Sequence, residues 1–445
     1  MNQFNIYFKE TFTLLLSMIM CVTLMGQGID KENPNTIDKE SISKSDEKRN
    51  KSKKIKIPNL LFTGTLIQNQ EKKQDWYIPS LFEFIPPNTI EGFVVNPKVS
   101  FTQYFQKGKF INFKPNLRYG FGNKRFQAQL STQLYYAPSQ KASIQLSGGS
   151  FIEQFNEEST LNALNNTLYT FLRTDNFLKI YEKSYLEVTH TVAPIKDFLL
   201  TTTLSWNNRS PLQNLSKYDK QDSKFTSNTP INDELLNTEF DEHQALLWNV
   251  QLRWQLGHQY IRQRGAFKSF SYYPAITIEY SGSLPDVLGS DLSYQKIALR
   301  VSEIYNAMKW GTGHFLFEIG DFISRDKITF IDFKHFNGKR TIYGNFDNYD
   351  IGDFQLLDYY QYSTTNFYLQ GHYEHQWNGL TNKNKSSLLK PVVAIHYLYT
   401  PAEGSYWEVG IGLNKLLKFW RVDFYNSWRG SKHESYGVRF GVVLE

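Results

Sequence analysis

Apolar and polar side chains alternate along most of the chain, and the alternation is clearest over residues 405–444. Three consecutive stretches there each place apolar residues on one face and polar residues or glycine on the other. In the second stretch, Val422 and Phe424 alternate with Arg421 and Asp423. Successive side chains of a strand point to opposite faces, so each stretch predicts a strand with one apolar face. Charges on one face, with aromatic residues at the ends of the other, favour a barrel with lipid outside and polar groups inside.

The same period of two recurs upstream and predicts about sixteen strands in all. The first, 57–68, has the weakest alternation, but without it the two ends of the sheet could not pair antiparallel. With it, the long connections 152–180, 208–244 and 322–363 all fall at one end, where outer-membrane barrels carry their extracellular loops. We therefore predict an all-β, transmembrane antiparallel barrel. Before the three strands of 405–444, the predicted strands are 57–68, 89–105, 111–121, 124–137, 141–151, 181–193, 197–207, 245–261, 274–282, 293–306, 312–321, 364–377 and 390–400.

The N-terminal region carries a different pattern. Its apolar run at 11–25 is shorter than a helical membrane span needs, and it is flanked by Lys9 and by Gly26. These features predict a signal peptide at 1–26, against the alternatives of a membrane anchor or a lipoprotein signal at Cys21. A disordered basic linker follows at 27–56, and the barrel occupies 57–445.

Composition narrows the class further. The mean hydropathy of −0.47 excludes a helical membrane protein, and the single cysteine excludes disulfides and thiolate metal sites. The net charge of +6 is concentrated in KRNKSKKIK at 48–56, which could contact nucleic acid or anionic lipid. Its polar neighbours favour a solvated leader instead, so no nucleic-acid partner is expected.

No sharp enzyme motif is present, and we expect no catalytic residue, no cofactor and no metal. His372, Glu374 and His375 lie close in sequence and could suggest a metal site. On a strand, however, His375 would point away from the other two, which leaves too few ligands.

Charged residues on the polar faces of the predicted strands should point into the lumen. They mix both signs, which favours paired charges, although a selective pore lining is an alternative. This inward set comprises Lys114, Arg118, Arg125, Arg253, Arg300, Glu318, Glu374, Glu408, Arg421, Asp423 and Arg439.

The connection at 322–363 combines many aromatic residues with many charges. A solvated loop would not carry so many rings, so we predict that it folds back into the mouth of the barrel. Inward glycines on nearby strands would leave room for it, namely Gly320, Gly410, Gly412, Gly437 and Gly441. The candidates of this connection for a position inside the lumen are Phe333, His335, Phe336, Asn337, Gly338, Arg340, Gly344 and Phe346.

Another long connection has leucines at helical spacing and predicts a helix within 159–175.

Several long motifs resemble a domain-of-unknown-function family of Bacteroidota outer-membrane proteins. That family usually begins with a carboxypeptidase-regulatory-like sandwich, which has no counterpart here. The resemblance covers nearly all of 80–445. The matching stretches are NTIEGFVVNP (88–97), NTLYTFLRTDNFLKIYEKSYLEV (166–188), NRSPLQN (208–214), ITFIDFKHFNGKRT (328–341) and LLDYYQYSTTNFYLQGHYEHQWNGL (356–380).

The family in turn is similar to the BamA/TamA-type superfamily of sixteen-stranded barrels. In that superfamily, the loop between strands eleven and twelve enters the lumen and carries an Arg-Gly-Phe-like tip. The resemblance implies that 322–363 is this loop, with Arg340 and the turn at Gly344 and Phe346 as the nearest equivalents of the tip. The tip motif is not intact, and the superfamily's periplasmic POTRA domains have no counterpart in this sequence.

These observations imply a non-enzymatic protein of the cell outer membrane that assists insertion or export of outer-membrane or surface proteins. Its expected partners are outer-membrane lipid and client membrane or secreted proteins. A porin or solute channel and a surface-exposed binding scaffold are the alternatives.

Overall fold

The computed structural model describes most of the chain from Gly64 onward. The predicted signal peptide and basic linker, together with Arg340 and Phe346, lie outside the described residues, so these assignments stay predictions. The described ranges are 64–80, 87–161, 163–215, 225–235, 237–257, 259–263, 266–270, 273–339, 341, 343–345, 351–379, 389–417 and 420–442.

The density of contacts divides the chain into two units. The first comprises 1–67 and 77–82, and the second comprises 68–76 and 83–445. In the first, Gly64 has a φ of 75° beside the carbonyl of Ile78, where an added Cβ would lie 2.8 Å from that oxygen. Everything that follows concerns the second unit.

The described secondary structure is almost entirely strand, with one α-helix, α1 (Ala163–Arg173). None of the described helical segments has the length and apolar character that a membrane crossing requires. The strands are β1 (Thr65–Asn69), β2 (Gln74–Ile78), β3 (Val94–Val95), β4 (Ser100–Tyr104), β5 (Phe110–Gly120), β6 (Arg125–Ala137), β7 (Ala142–Gln154), β8 (Ile180–Val192), β9 (Phe198–Pro211), β10 (His243–Trp254), β11 (Gln259–Gln263), β12 (Ala266–Phe270), β13 (Ala275–Ser283), β14 (Ser293–Asn306), β15 (Thr312–Lys327), β16 (Tyr343–Asn345), β17 (Tyr368–Gln376), β18 (Lys390–Thr400), β19 (Gly404–Leu416), β20 (Trp420–Arg429) and β21 (Lys432–Val442).

From β4 to β21, successive strands of the large sheet pair antiparallel. The small hairpin β11–β12 and the short β16 do not belong to this succession. Both β3 and β4 pair with β5, so together they form one interrupted strand where 89–105 was predicted. Among the described residues this gives fifteen consecutive strand positions. We refer to these strands as the wall.

The beginning of the sheet contains a strand, β2, that the sequence did not predict. The strand beside β4 is β2, whose Gln74 side chain donates to Gln103 at 2.9 Å and whose Trp76 ring lies 4.5 Å from that of Phe101. The sequence interpretation had placed the first strand at 57–68; residues 57–63 lie outside the described residues, and β1 covers Thr65–Asn69. With only five residues, β2 is too short for its alternation to stand out beside the following prolines.

Elsewhere the strand predictions agree closely with the structure. The predicted strands 293–306 and 390–400 coincide with β14 and β18, and α1 lies within 159–175. One correction concerns 245–261, because β10 ends at Trp254 and a turn through Gly257, with φ 63°, separates it from the β11–β12 hairpin.

The wall buries its polar face and exposes its apolar face. On β5, Arg118 is 6% exposed while its neighbour Leu117 is 43% exposed. On β20, Arg421 and Asp423 are each 1% exposed, while Phe424, next to Asp423, is 40% exposed. A water-soluble sheet would do the opposite, whereas a transmembrane barrel has an apolar outer band around a polar interior.

The described residues of 328–364 lie against the polar face, and we call them the inner segment. Its Asp332 pairs with Arg209 of β9, and its Gln355 is held by Arg439 of β21. Because strands so far apart in the wall reach the same segment, the wall must curve around it. The second unit therefore has the predicted fold, a transmembrane antiparallel β-barrel with one connection folded inside.

The three long connections follow β7, β9 and β15. Since consecutive wall strands alternate in direction, all three leave the same end of the sheet, as the parity of the strands predicted. The short turns after β6, β14 and β19 lie at the opposite end.

The outward face should tolerate charge poorly. Leu204 is 47% exposed in the middle of β9, whereas the adjacent Thr203 faces the interior. We expect Leu204→Arg to lower the free energy of unfolding in lipid vesicles by about 2–4 kcal/mol, because it places a cation against hydrocarbon. The matched change Thr203→Arg should cost less than about 1 kcal/mol. Equal losses in urea titrations of the two variants would contradict the assignment of the faces.

Candidate functional site inside the barrel

The inner segment is packed into the barrel by its aromatic residues. Phe336, Phe354 and Tyr362 form a buried cluster with Tyr368 and Tyr406 of the wall. A second cluster joins the inner segment to the start of the connection after β7, and it contains Phe155, Tyr181, Phe330, Ile331 and Tyr360. The predicted burial of this aromatic-rich connection is confirmed.

A buried cation fastens the inner segment to the wall. Lys334 Nζ lies 2.8 Å from Glu318 Oε1 and 3.4 Å from Glu158 Oε2. The other oxygen of Glu318 accepts from Arg300 Nε at 2.6 Å, and the Tyr368 hydroxyl donates to Oε1 at 3.0 Å. Burial acts to lower the pKa of Lys334, but Glu158 and Glu318 outweigh it, so the pKa is raised and the side chain stays charged.

A second buried ion pair holds the segment near its beginning. The Nη1 atom of Arg209 on β9 lies 2.9 and 2.8 Å from the two carboxylate oxygens of Asp332. Both side chains are 3% exposed. The hydroxyls of Tyr294 and Thr329 also donate to this carboxylate, at 3.1 and 2.8 Å. The carboxylate is therefore compensated from the wall and from the segment together.

Glu408 and Arg439 bind the backbone near the end of the segment. The carboxylate of Glu408 accepts the N–H groups of Gln355, Leu356 and Leu357 at 2.6, 2.7 and 3.0 Å. Arg439 on β21 donates to the carbonyl of Gln355 at 2.8 Å and to that of Lys339 at 3.1 Å. These charge-assisted bonds satisfy a stretch of backbone that has no sheet partner.

The chain crosses itself inside the barrel. Phe354 N–H donates to the Asn337 carbonyl at 2.8 Å, and Lys339 N–H donates to the Leu357 carbonyl at 3.1 Å. Gly338 is required at this crossing because a Cβ there would collide with the carbonyl oxygen of Leu357. These two hydrogen bonds thus hold Asn337 and Lys339 beside Phe354 and Leu357.

The predicted lumen candidates that are described make the following contacts. Phe333 packs on Phe330 at 5.1 Å, and His335 contacts the Ser363 hydroxyl through Nδ1 at 2.7 Å. Burial lowers the pKa of His335 to about 3, so the ring is neutral at physiological pH. Phe336, Asn337 and Gly338 also belong to the inner segment, and Gly344 lies in β16.

The key inner cation is Lys334, which sequence reasoning missed. The resemblance had pointed to Arg340, which lies outside the described residues. The sequence did contain a signal for Lys334, because it lies among Phe333, His335 and Phe336. A lysine among rings that must be buried needs an anionic partner inside the barrel.

The predicted inward charges are mostly paired. Arg118 forms a buried bidentate pair with Glu91, at 2.8 and 2.5 Å. Two members lie at the rims instead: Arg125 is exposed and pairs with Glu182, and Arg253 is exposed and donates to Gln255 at 3.0 Å. The remaining pairs are Arg300 with Glu318, Arg421 with Glu374 and Asp423, and Arg439 with backbone carbonyls.

The glycines act differently from what the sequence suggested. Only at Gly437 is the inner segment close, because a Cβ there would lie 2.7 Å from Leu356. At Gly320, Gly410 and Gly412, an added Cβ would collide with Tyr368, Tyr425 and Asp423 of the wall, respectively. These three glycines make room for inward side chains of neighbouring strands rather than for the loop, and no Cβ contact is described for Gly441.

A polar cavity of about 360 Å³ remains beside the inner segment. It lies against the inner faces of β8, β9, β10, β13 and β14, and several of its charges belong to pairs, such as Lys296 with Glu279 at 3.7 Å. Its wall carries hydroxyl and amide side chains, so it can hold water or a small polar solute. These side chains are Thr203, Ser205, Asn207, Asn249 and Ser281.

The histidines near Glu374 do not converge. His372 faces inward and meets His396 with 2.9 Å between their Nδ1 atoms, whereas His375 contacts the carbonyl of Trp310 through Nε2 at 3.0 Å. Glu374 is engaged by Arg421. In the part of the chain that the structure describes, no three His, Cys, Asp or Glu residues come together as a metal site.

Fold and interior together define a membrane β-barrel whose own connection is fixed inside it by buried charges. The chain belongs to the family described as "Family of unknown function (DUF5686) C-terminal domain", whose model matches residues 58–413. The predicted family is therefore confirmed. No curated protein sequence matches the chain.

Solved structures similar to the chain are barrels of low sequence identity. BamA from Haemophilus ducreyi lacking POTRA domains 1–3 is 12% identical, with 94% of this chain and 80% of that chain covered and a TM-score of 0.43. CdiB from Escherichia coli is 10% identical, with 80% and 59% covered and a TM-score of 0.36. Wzi from Escherichia coli, described as a carbohydrate-binding β-barrel involved in group 1 capsule assembly, is 10% identical, with 84% and 79% covered and a TM-score of 0.33.

Removing the buried carboxylate of Glu318 should lower the stability of the barrel. Glu318→Leu leaves Lys334 facing an apolar side chain, and we expect the free energy of unfolding to fall by about 3–5 kcal/mol. Glu182→Leu removes the carboxylate of the rim pair with Arg125 and should cost less than about 1 kcal/mol.

The double variant Glu318→Leu with Lys334→Met is the internal check on this prediction. Removing both charges should recover much of the stability lost by Glu318→Leu, as measured by urea unfolding in lipid vesicles. A double variant no more stable than Glu318→Leu would show that the pair does not determine stability.

The carboxylate of Glu408 should protect the backbone that it binds. Glu408→Gln replaces one acceptor oxygen by a donor, so at least one N–H of residues 355–357 loses its partner. We expect these amides to exchange with solvent about ten to a hundred times faster. Glu279→Gln, at the cavity, serves as the matched control and should leave them unchanged in hydrogen-exchange mass spectrometry. Unaltered protection in Glu408→Gln would refute the assigned role.

Proposed function

We propose that this chain is a non-enzymatic β-barrel of the outer membrane that assists the insertion or export of other outer-membrane or surface proteins. The observation that supports this most is the filled interior. The inner segment is fixed to β9, β15, β19 and β21 by buried charged groups. A barrel filled in this way is poorly suited to passing solutes and leaves its outer wall and strand edges as the working surfaces.

In this proposal the client interacts with the wall rather than with the lumen. A strand edge presents unpaired N–H and C=O groups that can pair with an incoming strand. The lipid-facing residues beside that edge then offer the same apolar environment that a nascent membrane strand requires. The partners are outer-membrane lipid and client membrane or secreted proteins, and no cofactor takes part.

A solute channel is the second candidate, and the polar cavity of about 360 Å³ favours it. In that case the inner segment would have to leave the lumen, because its aromatic clusters and ion pairs occupy the space between opposite parts of the wall. Ion selectivity would then follow from the inward charges that remain.

Depletion of the protein in its native host distinguishes these functions. We expect the amounts of several other outer-membrane barrel proteins to fall, as measured by quantitative proteomics of the outer membrane, and to recover when the wild-type gene is supplied. The purified protein in planar lipid bilayers should show no steady conductance. An unchanged outer-membrane proteome together with steady single-channel conductance would reject the insertion role and support the channel.

A further inference from the structure

The polar cavity beside the inner segment is lined by a row of hydrogen-bonding side chains on four adjacent strands. Thr203 of β9 lies opposite Asn249 of β10, and Asn249 lies opposite Ser281 of β13. Ser281 lies opposite Lys296 of β14, and all four side chains line the cavity. Directly opposed side chains are about 5 Å apart, so the row offers a succession of donors and acceptors to a molecule with several hydroxyl groups.

The charges around the cavity are balanced except at one carboxylate. Among the lining residues, each cation pairs with a lining carboxylate: Lys183 with Glu157 at 3.2 Å, Arg209 with Asp332 at 2.8 Å, Lys296 with Glu279 at 3.7 Å and Lys334 with Glu158 at 3.4 Å. Glu187 of β8 also lines the cavity, and it forms no ion pair with any residue that the structure describes. A carboxylate in such an interior is costly without a partner cation, so Glu187 favours a ligand that brings one.

Apolar side chains complete the lining of the cavity. Leu247 of β10, Phe155 and the inner-segment residue Phe333 belong to it. Pockets that bind small molecules combine apolar walls with a few placed polar groups, and their volumes begin at about 300 Å³. The volume of about 360 Å³ therefore suits one sugar-sized molecule, whose carbon-bound hydrogens would contact the apolar side chains.

The cavity is covered on the side of the long connections. The side chains there are buried, as the low exposure of Asn207, Arg209 and Asp332 shows. Toward the short turns, Thr201 and Thr191 share the inward face, 3.4 Å apart, and both are partly exposed. A solute would therefore enter from the end with the short turns and stop at the inner segment. The cavity can hold a solute in this way without letting it pass through the barrel.

A metal ion alone would find too few ligands, because no three His, Cys, Asp or Glu residues converge in the described ranges. We propose that the cavity binds a polyhydroxylated amine of sugar size, an amino sugar, with its ammonium group at Glu187 and its hydroxyl groups along the row from Thr203 to Ser281. The ammonium group supplies the charge that the lining lacks, and the hydroxyl groups replace bound water. This inference goes beyond the proposed function and does not depend on it.

Equilibrium dialysis tests the site, with the full-length protein in lipid nanodiscs and radiolabelled D-glucosamine as the probe. At neutral pH we expect saturable binding with a dissociation constant of about 1 mM or lower. D-glucose has a hydroxyl group in place of the amine, and N-acetyl-D-glucosamine has an uncharged amide. Both should bind about tenfold more weakly, because they cannot form the charge-assisted bond. Equal affinities for the three sugars, or no saturable binding of glucosamine, would overturn the proposal.

Glu187→Gln keeps the shape of the side chain and removes its charge. We expect this variant to bind glucosamine about tenfold more weakly and glucose as the wild type does. Glu303→Gln on β14 is the matched control, since Glu303 does not belong to the lining of the cavity, and it should bind both sugars as the wild type does. Unchanged affinity of Glu187→Gln for glucosamine, or an equal loss in Glu303→Gln, would contradict the assigned site.

Thr203→Arg keeps the proposal testable if Glu187→Gln does not fold. Position 203 lies opposite Thr189, two residues from Glu187 on the same face of β8, so an arginine there can reach the carboxylate. The protein would then supply the missing cation itself, and we expect glucosamine to bind at least about tenfold more weakly. The comparison uses protein that keeps the heat-modifiable gel mobility of a folded barrel. Unchanged affinity in this variant would count against the proposal.

Discussion

The pairing of charges in a water-poor interior is the constraint on which this structure depends. Lys334, Asp332 and Glu318 would each be costly to bury alone, and each is neutralised by a residue from another part of the chain. The wall supplies Glu318 and Arg209, and the inner segment supplies Lys334 and Asp332. Neither part is electrostatically satisfied without the other, so the barrel and its inner segment form one structural whole.

Much of the wall could be predicted from the sequence, because lipid outside and polar groups inside impose a strict period of two. β14 and β18 were predicted to the residue, since each is a long apolar-rich stretch bounded by turn residues. The prediction of strands from alternation was wrong where strands are short or interrupted, as in β2, in the pair β3 and β4, and in the β11–β12 hairpin. In such stretches too few residues alternate for the period of two to be recognised, and pairing with a neighbouring strand determines the structure.

For the interior, the sequence predicted which residues point inward but not which of them meet. The ring-rich composition of 322–363 was sufficient to place that connection inside, since so many aromatic side chains need burial. The partners could not be predicted, because Arg209 and Asp332 are 123 positions apart and meet only through the curvature of the wall. Lys334 was missed for the same reason, as its importance arises from Glu318 and Glu158, which lie on other elements.

The last wall strand, β21, contacts the inner segment through its inward face and pairs with β16 at its edge. Arg439 turns inward to hold the backbone of the inner segment, while the next residue, Phe440, lies opposite β16 at the edge. A displacement of the segment at Gln355 would therefore reach β21 directly through the Arg439 side chain. In a barrel filled by its own connection, the ion pairs at Lys334 and Asp332 keep the interior fixed, and Arg439 joins that interior to the last wall strand.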